Sequence, residues 1–241
     1  METVDDLQYD GLKIIQAADG FRFGMDAVLL ANLAPLSGVK RALDLCCGNG
    51  IIPILLAGKR KVKSVCGIDI NAAEVERAGR SLGLNGLAGV DVINGDIKEI
   101  ERYFGYETFD LVTANPPYLK VNTGAVSPNT MKSAARHEIY CTLKDVLAAA
   151  FKVLRYGGGL FMVHRTERLA EVLYECKSLR LEPKRLYMIY PKEDRRPDLF
   201  LVYCVKCGNP DMIVGKPLII YNADGSYTDD YLKIYYGGES K

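Results

Sequence analysis

The sequence predicts an α/β protein built on a mostly parallel sheet. Three observations predict it. Short apolar runs alternate with amphipathic helical stretches from residue 41 onward, the pattern of strand–helix–strand units. Residues 109–114, Phe-Asp-Leu-Val-Thr-Ala, are near-continuously apolar, as a strand buried on both faces must be. The last two apolar runs, 186–190 and 199–205, are joined by eight residues, too few for a helical crossover, so they pair antiparallel.

Residues 8–24 mix polar and apolar positions and end in Gly20-Phe21-Arg22-Phe23-Gly24. A helix begins at Met25, with Asp26 in its first turn, where a carboxylate suits the helix dipole. Gly24 allows close approach to a ligand. This helix either covers the sheet or forms a flap over a bound cofactor.

Arg41 to Leu45 is a strand, Cys46-Cys47-Gly48-Asn49-Gly50 a small-residue turn, and Ile51 to Ala57 the start of a helix, with Pro53 tolerable in its first turn. Glycines let the backbone near a ligand, and the helix N-terminus offers free N–H groups. The dinucleotide fingerprint wants a third glycine where Pro53 stands. Asp44 would repel a pyrophosphate but suits a cationic group such as an amino-acid ammonium.

The next strand, 64–70, ends in an acid. Asp69 follows the glycine turn by about 20 residues, the spacing at which a carboxylate grips ribose hydroxyls. Asn71 caps a helix from Ala72 to Leu84, with Glu74 in its first turn. A third strand, 91–97, has a polar end. There Asp96 either accepts from an adenine amino group or caps the following turn.

Asn115-Pro116-Pro117-Tyr118 follows the 109–114 strand. Two prolines stop the strand and stiffen the corner, at the sheet edge where ligands bind in open α/β folds. An amide, rigid carbonyls and an aromatic ring are displayed together. A conjugated amino group is a poor nucleophile because its lone pair is delocalised. If the Asn115 side-chain oxygen and the Pro116 carbonyl accept its two hydrogens, the nitrogen can pyramidalise and attack. A sulfonium leaving group, already activated, requires no basic side chain. Tyr118 can stack on the ring, worth about 1–3 kcal/mol per base.

Residues 119–141 form a long connection that reads as a substrate loop, with Lys120, and with Lys132 and Arg136 spaced for one phosphate. Thr142 caps a helix expected to reach about Tyr156, where Gly157-Gly158-Gly159 breaks it before a strand at 160–164. A helix at 167–178 precedes the antiparallel pair. Lys184, Arg185, Lys192, Arg195 and Arg196 make that end locally basic, either a solvated surface or a nucleic-acid contact. Beyond Asn209-Pro210, Leu218 to Thr228 has a hairpin-like pattern with Gly225 in the turn. The chain reads as residues 1–207 plus an extension, 208–241, on the same domain.

Composition narrows the function classes. The chain has 241 residues, 49% of them hydrophobic, enough for one substantial core. It has no run of about 18 apolar residues, and its acidic N-terminus is no signal peptide, so a cytoplasmic protein is expected. Seven cysteines, an odd number set mostly in apolar segments, read as reduced thiols, and Cys204-Val205-Lys206-Cys207 has no second pair to make a metal site. With a net charge of +1, any nucleic-acid footprint must be a local patch.

Asp44 to Gly50, Asp69, Asp96 and Asn115 to Tyr118, in this order and spacing, resemble the class I S-adenosylmethionine-dependent methyltransferases. The resemblance implies a Rossmann-like, seven-stranded sheet ordered 3-2-1-4-5-7-6 with helices on both faces, spanning most of residues 21–207. It implies S-adenosylmethionine contacts from Gly24, Asp26, Asp44, Cys46, Gly48, Gly50, Asp69, Ile70, Asp96, Ile97 and Asn115, with Gly48 and Gly50 at the methionine portion, Asp69 at the ribose, and Asp96 and Ile97 beside the adenine. Cys46 departs from the glycine often found there. Asn115, Pro116, Pro117 and Tyr118 become the catalytic set, and Lys120, Lys132, Arg136, Arg195 and Arg196 the substrate contacts.

The Asn-Pro-Pro-Tyr motif is shared by adenine-N6 methyltransferases and by glutamine-N5 methyltransferases acting on release factors and ribosomal proteins. Residues 19–30, Asp-Gly-Phe-Arg-Phe-Gly-Met-Asp-Ala-Val-Leu-Leu, are similar to the bacterial tRNA (adenine-N6)-methyltransferases that modify valine tRNA beside the anticodon. The short stretch before the first core strand lacks the helical recognition domain of release-factor enzymes. The expectation is therefore tRNA as partner, with neither membrane nor metal, and the glutamine-N5 activity as the alternative.

Overall fold

The computed structural model describes residues 1–18, 23–118 and 141–236. A two-stranded hairpin, β1 (Glu2–Asp6) and β2 (Lys13–Ala17), comes first. The main sheet holds β3 (Arg41–Leu45), β4 (Ser64–Asp69), β5 (Val90–Asn94), β6 (Phe109–Ala114), β7 (Leu154–Arg165), β8 (Leu181–Tyr190) and β9 (Leu199–Lys206). Their spatial order is β5-β4-β3-β6-β7-β9-β8, which is the expected 3-2-1-4-5-7-6 when β3 is counted as the first. β9 runs antiparallel to both its neighbours, and the other pairs are parallel. The expected seven strands become nine, because β10 (Ile213–Val214) and β11 (Leu218–Ile219) both add in parallel along β8.

Strand side chains alternate between two cores. Ala42, Val65 and Leu111 face a core shared with α1 (Met25–Leu33), α2 (Ile51–Ile54) with the π-helical turn that continues it to Lys59, and Leu82 of α3 (Ala72–Leu84). Leu43, Leu45, Val112 and Ala114 face the other, against α4 (Leu143–Val153) and α5 (Leu169–Ser178). The helices therefore lie on both faces, as a sheet with two apolar faces requires. α6 (Asp229–Tyr236) lies against α1. Asn71 caps α3 by accepting from the Ala73 N–H, and Thr142 and Asp145 form a reciprocal capping box on α4.

Four expectations are corrected. The α4 helix stops at Val153, not near Tyr156, and the glycine triplet lies inside β7. A Cβ on Gly159 would sit 2.3 Å from the Tyr203 ring, so that glycine lets the ring lie across the strand rather than break a helix. β8 starts at Leu181, absorbing Pro183 at a register shift. β5 ends at Asn94, and a 3-10 turn begins at Ile97. In the extension, the predicted hairpin is reduced to one antiparallel bridge, Tyr221 to Tyr227. Among the described residues no helix is long and apolar enough to cross a membrane.

Candidate active site

The C-terminal ends of β3, β4 and β6 meet at one edge. After β3 the chain turns through three left-handed residues, Cys46 (φ +59°), Gly48 (φ +51°) and Gly50 (φ +84°). Cys46 holds this conformation despite its side chain, which explains why glycine is common at that point. A Cβ on Gly50 would lie 2.9 Å from the Ala78 Cβ, whereas the missing Cβ of Gly48 faces open space. Asp69 fixes the turn from the end of β4, accepting from the Gly48 N–H at 2.9 Å and the Asn71 N–H at 2.8 Å.

Beside this turn lies a cleft of about 330 Å³, counting its solvent-open part, lined by Cys46, Asp69, Ile70, Gly95, Asp96, Ile97, Pro117 and Cys141. Five residues expected at the cofactor, Cys46, Asp69, Ile70, Asp96 and Ile97, thus share one cleft with the second proline of Asn-Pro-Pro-Tyr. Asp96 also accepts from the Lys98 N–H at 2.9 Å, the capping role that stood as its other reading.

Asp44 is fully buried behind the turn. Its Oδ1 accepts from the Thr113 hydroxyl at 2.6 Å, and its Oδ2 has no hydrogen-bond partner among the described residues. Burial, with the nearby Asp69 charge, pushes the Asp44 carboxyl well above the usual carboxylate range. An orphaned buried acceptor of this kind favours a proton or a cation beside it.

At the end of β6, Asn115 and Tyr118 converge on Asp26 of α1. The Asn115 Nδ2 donates to Asp26 Oδ2 at 3.2 Å, and the Tyr118 hydroxyl lies 2.8 Å from the same oxygen. That hydroxyl also contacts Asn115 Oδ1. Burial and the Asp26 carboxylate hold the Tyr118 hydroxyl well above its ordinary pKa, so it stays protonated. His164, buried at the end of β7, sets its ring edge-on to Tyr118 with centroids 5.3 Å apart. Its Nδ1 accepts from the Arg165 N–H at 2.8 Å, and burial holds the imidazole down at about 4, hence neutral. The Arg165 guanidinium lies 5.6 Å above the Tyr118 ring.

Gly24 and Asp26, expected at the cofactor, lie beside Asn115, which belongs to the same expected set. A Cβ on Gly24 would fall 2.5 Å from Asp26 Oδ1, so glycine there makes room for the carboxylate. The N-terminal hairpin reaches the same region. The Gln16 side-chain oxygen accepts from the Phe23 N–H at 3.0 Å and from Asn49, in the glycine turn, at 3.4 Å. Arg195 and Arg196 are exposed on the loop between β8 and β9, which the strand directions bring to the same sheet edge. Lys120, Lys132 and Arg136 lie outside the described residues. Gln16, His164 and Arg165 were not legible as site residues, because each stands alone in its segment without a motif around it. Among the described residues no group of three His, Cys, Asp or Glu could hold a metal.

A family model described as "methyltransferase domain" matches residues 36–194. The chain is 27% identical over 242 aligned positions to a tRNA1(Val) (adenine(37)-N6)-methyltransferase of Porphyromonas gingivalis, covering 95% of this chain and 93% of that one. It is 28% identical to the protein of the same name from Shigella dysenteriae, covering 87% and 84%. Among solved structures, a "predicted O-methyltransferase" from Agrobacterium tumefaciens superposes with a TM-score of 0.73 at 23% identity, covering 90% of this chain and 98% of that one. TYW2 of P. horikoshii, solved with MeSAdo, superposes at 0.58 and 15% identity, covering 86% and 72%.

Proposed function

We propose that this chain, which belongs to the methyltransferase-domain family, transfers a methyl group from S-adenosylmethionine to the N6 atom of an adenine in tRNA. The observation that carries the reading is the junction of two features. Pro117 of the Asn-Pro-Pro-Tyr corner lines the same cleft as Asp69 and Ile97, which puts Asn115 two residues along the chain from a wall of that cleft. The names borne by the similar tRNA1(Val) enzymes support adenine N6 as the acceptor and tRNA as the partner.

The residues present fit the cofactor. Asp44 offers a buried carboxyl oxygen, unpartnered among the described residues and suited to an ammonium, Gly48 leaves an open flank, and Ile70 and Ile97 give the cleft apolar walls beside the Asp69 carboxylate. When bound, S-adenosylmethionine supplies a methyl group already activated by its sulfonium.

The chain then needs to hold and prepare the amine. Asn115 Oδ1 and the Pro116 carbonyl accept the two N6 hydrogens, which localises the nitrogen lone pair for in-line attack. The adenine is turned out of its stack to reach them and rests on the Tyr118 ring. His164 and Arg165 fix the pose of that ring. Catalysis is mostly positioning, an effect that can supply about 7–11 kcal/mol. Arg195 and Arg196, with Lys120, Lys132 and Arg136, are assigned to the tRNA backbone. The setting is the cytoplasm, where tRNA is available.

Incubation with methyl-labelled cofactor and total tRNA or, separately, a release factor tests the reading. Label recovered as N6-methyladenosine from digested tRNA is the expected result. Label only in the protein, as N5-methylglutamine, would overturn it.

A further inference from the structure

We infer that Asp26 is a positioning residue that serves as the alternative acceptor for the Tyr118 hydroxyl, freeing Asn115 Oδ1 for the incoming amine. This rests on the amine-methylation reading above.

The hydroxyl of Tyr118 has one hydrogen and two acceptors within reach, Asp26 Oδ2 and Asn115 Oδ1. It can donate to only one of them well. Asn115 Oδ1 is also the atom on which an amino group must place a hydrogen. A hydroxyl parked there competes with substrate. Asp26 resolves the competition: its carboxylate receives the Tyr118 hydrogen when substrate arrives, so no acceptor is left empty. The same oxygen accepts the Asn115 Nδ2–H at 3.2 Å, which fixes the amide so that its oxygen, not its nitrogen, faces the amine.

The carboxylate is itself held in place. Oδ1 accepts from the Ala27 N–H at 2.9 Å, and the bare Cα of Gly24 leaves it room. Asp26 is 9% exposed and lies at the start of α1, across the sheet edge from β6. Among the described residues its hydrogen-bond donors are Ala27, Asn115 and Tyr118, and none of the three lines the cofactor cleft. Its effect should therefore appear in turnover rather than in cofactor affinity.

The test is a double-mutant cycle with Asp26→Asn and Tyr118→Phe, which preserve size and ring stacking. Asp26→Asn removes the charge and leaves one accepting oxygen, which cannot serve the Ala27 N–H on one side and the Tyr118 hydroxyl on the other. In the wild-type background it is expected to lower kcat about tenfold or more, with the cofactor dissociation constant within about threefold. In the Tyr118→Phe background, where no hydroxyl competes for Asn115, the same substitution should cost about threefold or less. Equal losses in the two backgrounds would overturn the inference. So would a loss expressed only in cofactor affinity, which would return Asp26 to the cofactor. Thermal unfolding of the same four proteins reads the contact without substrate. If the wild-type chain proves inactive on tRNA, the proposed acceptor is wrong, while non-additive melting shifts would still support the Asp26–Tyr118 bond and additive ones would remove it.

Discussion

His164→Gln isolates the support beneath Tyr118. Burial holds the imidazole at about 4 in the folded chain, against about 6.5 when unfolded. Above pH 6.5 both states are neutral, and the group contributes no pH dependence. As pH falls below that value the unfolded chain takes up a proton that the native state refuses, so stability drops until the folded value is passed. The full gap corresponds to about 3 kcal/mol, of which about 2 kcal/mol is already lost at pH 5. Gln cannot titrate, yet keeps a carbonyl oxygen able to accept from the Arg165 N–H. Urea unfolding of both proteins at pH 7.5 and pH 5 separates this residue from the carboxylates, which titrate in both. The wild type should lose about 2 kcal/mol more than the variant over that interval. Equal losses, or an imidazole titrating near its ordinary value by NMR, would refute the argument that His164 is a neutral wall behind Tyr118.

Asp69→Ala removes the carboxylate that both lines the cleft and pins the Gly48 N–H, so cofactor affinity measured calorimetrically should fall by about tenfold or more. An unchanged dissociation constant would sink its assignment to the ribose. Asp44→Asn addresses the buried acid. Its folded carboxyl is raised, so above the ordinary carboxylate pKa the native state keeps a proton that the unfolded chain has released, and stability falls as pH rises. The variant lacks this slope, so its unfolding midpoint should gain on the wild type from pH 4 towards pH 7; parallel profiles would contradict it.

Much of this site could be read from the residues because its parts are punctuated. The glycine turn, the acid ending the next strand and the double proline each break a regular pattern, and each lies at the sheet edge. The short β8–β9 connection made the antiparallel pair legible, whereas the strand order came only with the family resemblance. The glycine triplet misled because glycine breaks helices when exposed but also admits a ring across a strand. Only the Tyr203 ring, distant in sequence, decides between the two. Asp26 was legible as a first-turn acid but not as a partner of Asn115, since 89 residues separate them and nothing local encodes the pairing. His164 looked like any residue in an apolar strand, and the short strands β10 and β11 carry too few residues to show a period.

The most direct test of the central claim is single-turnover methyl transfer to tRNA by Asn115→Ala, with cofactor affinity measured on the same protein. If Asn115 polarises the target amine at the mouth of the cleft, transfer should fall by about a thousandfold while the cofactor dissociation constant stays within a few-fold. A variant that transfers at the wild-type rate would remove Asn115 from the mechanism, and with it the assignment of this corner as the place where the amine is methylated.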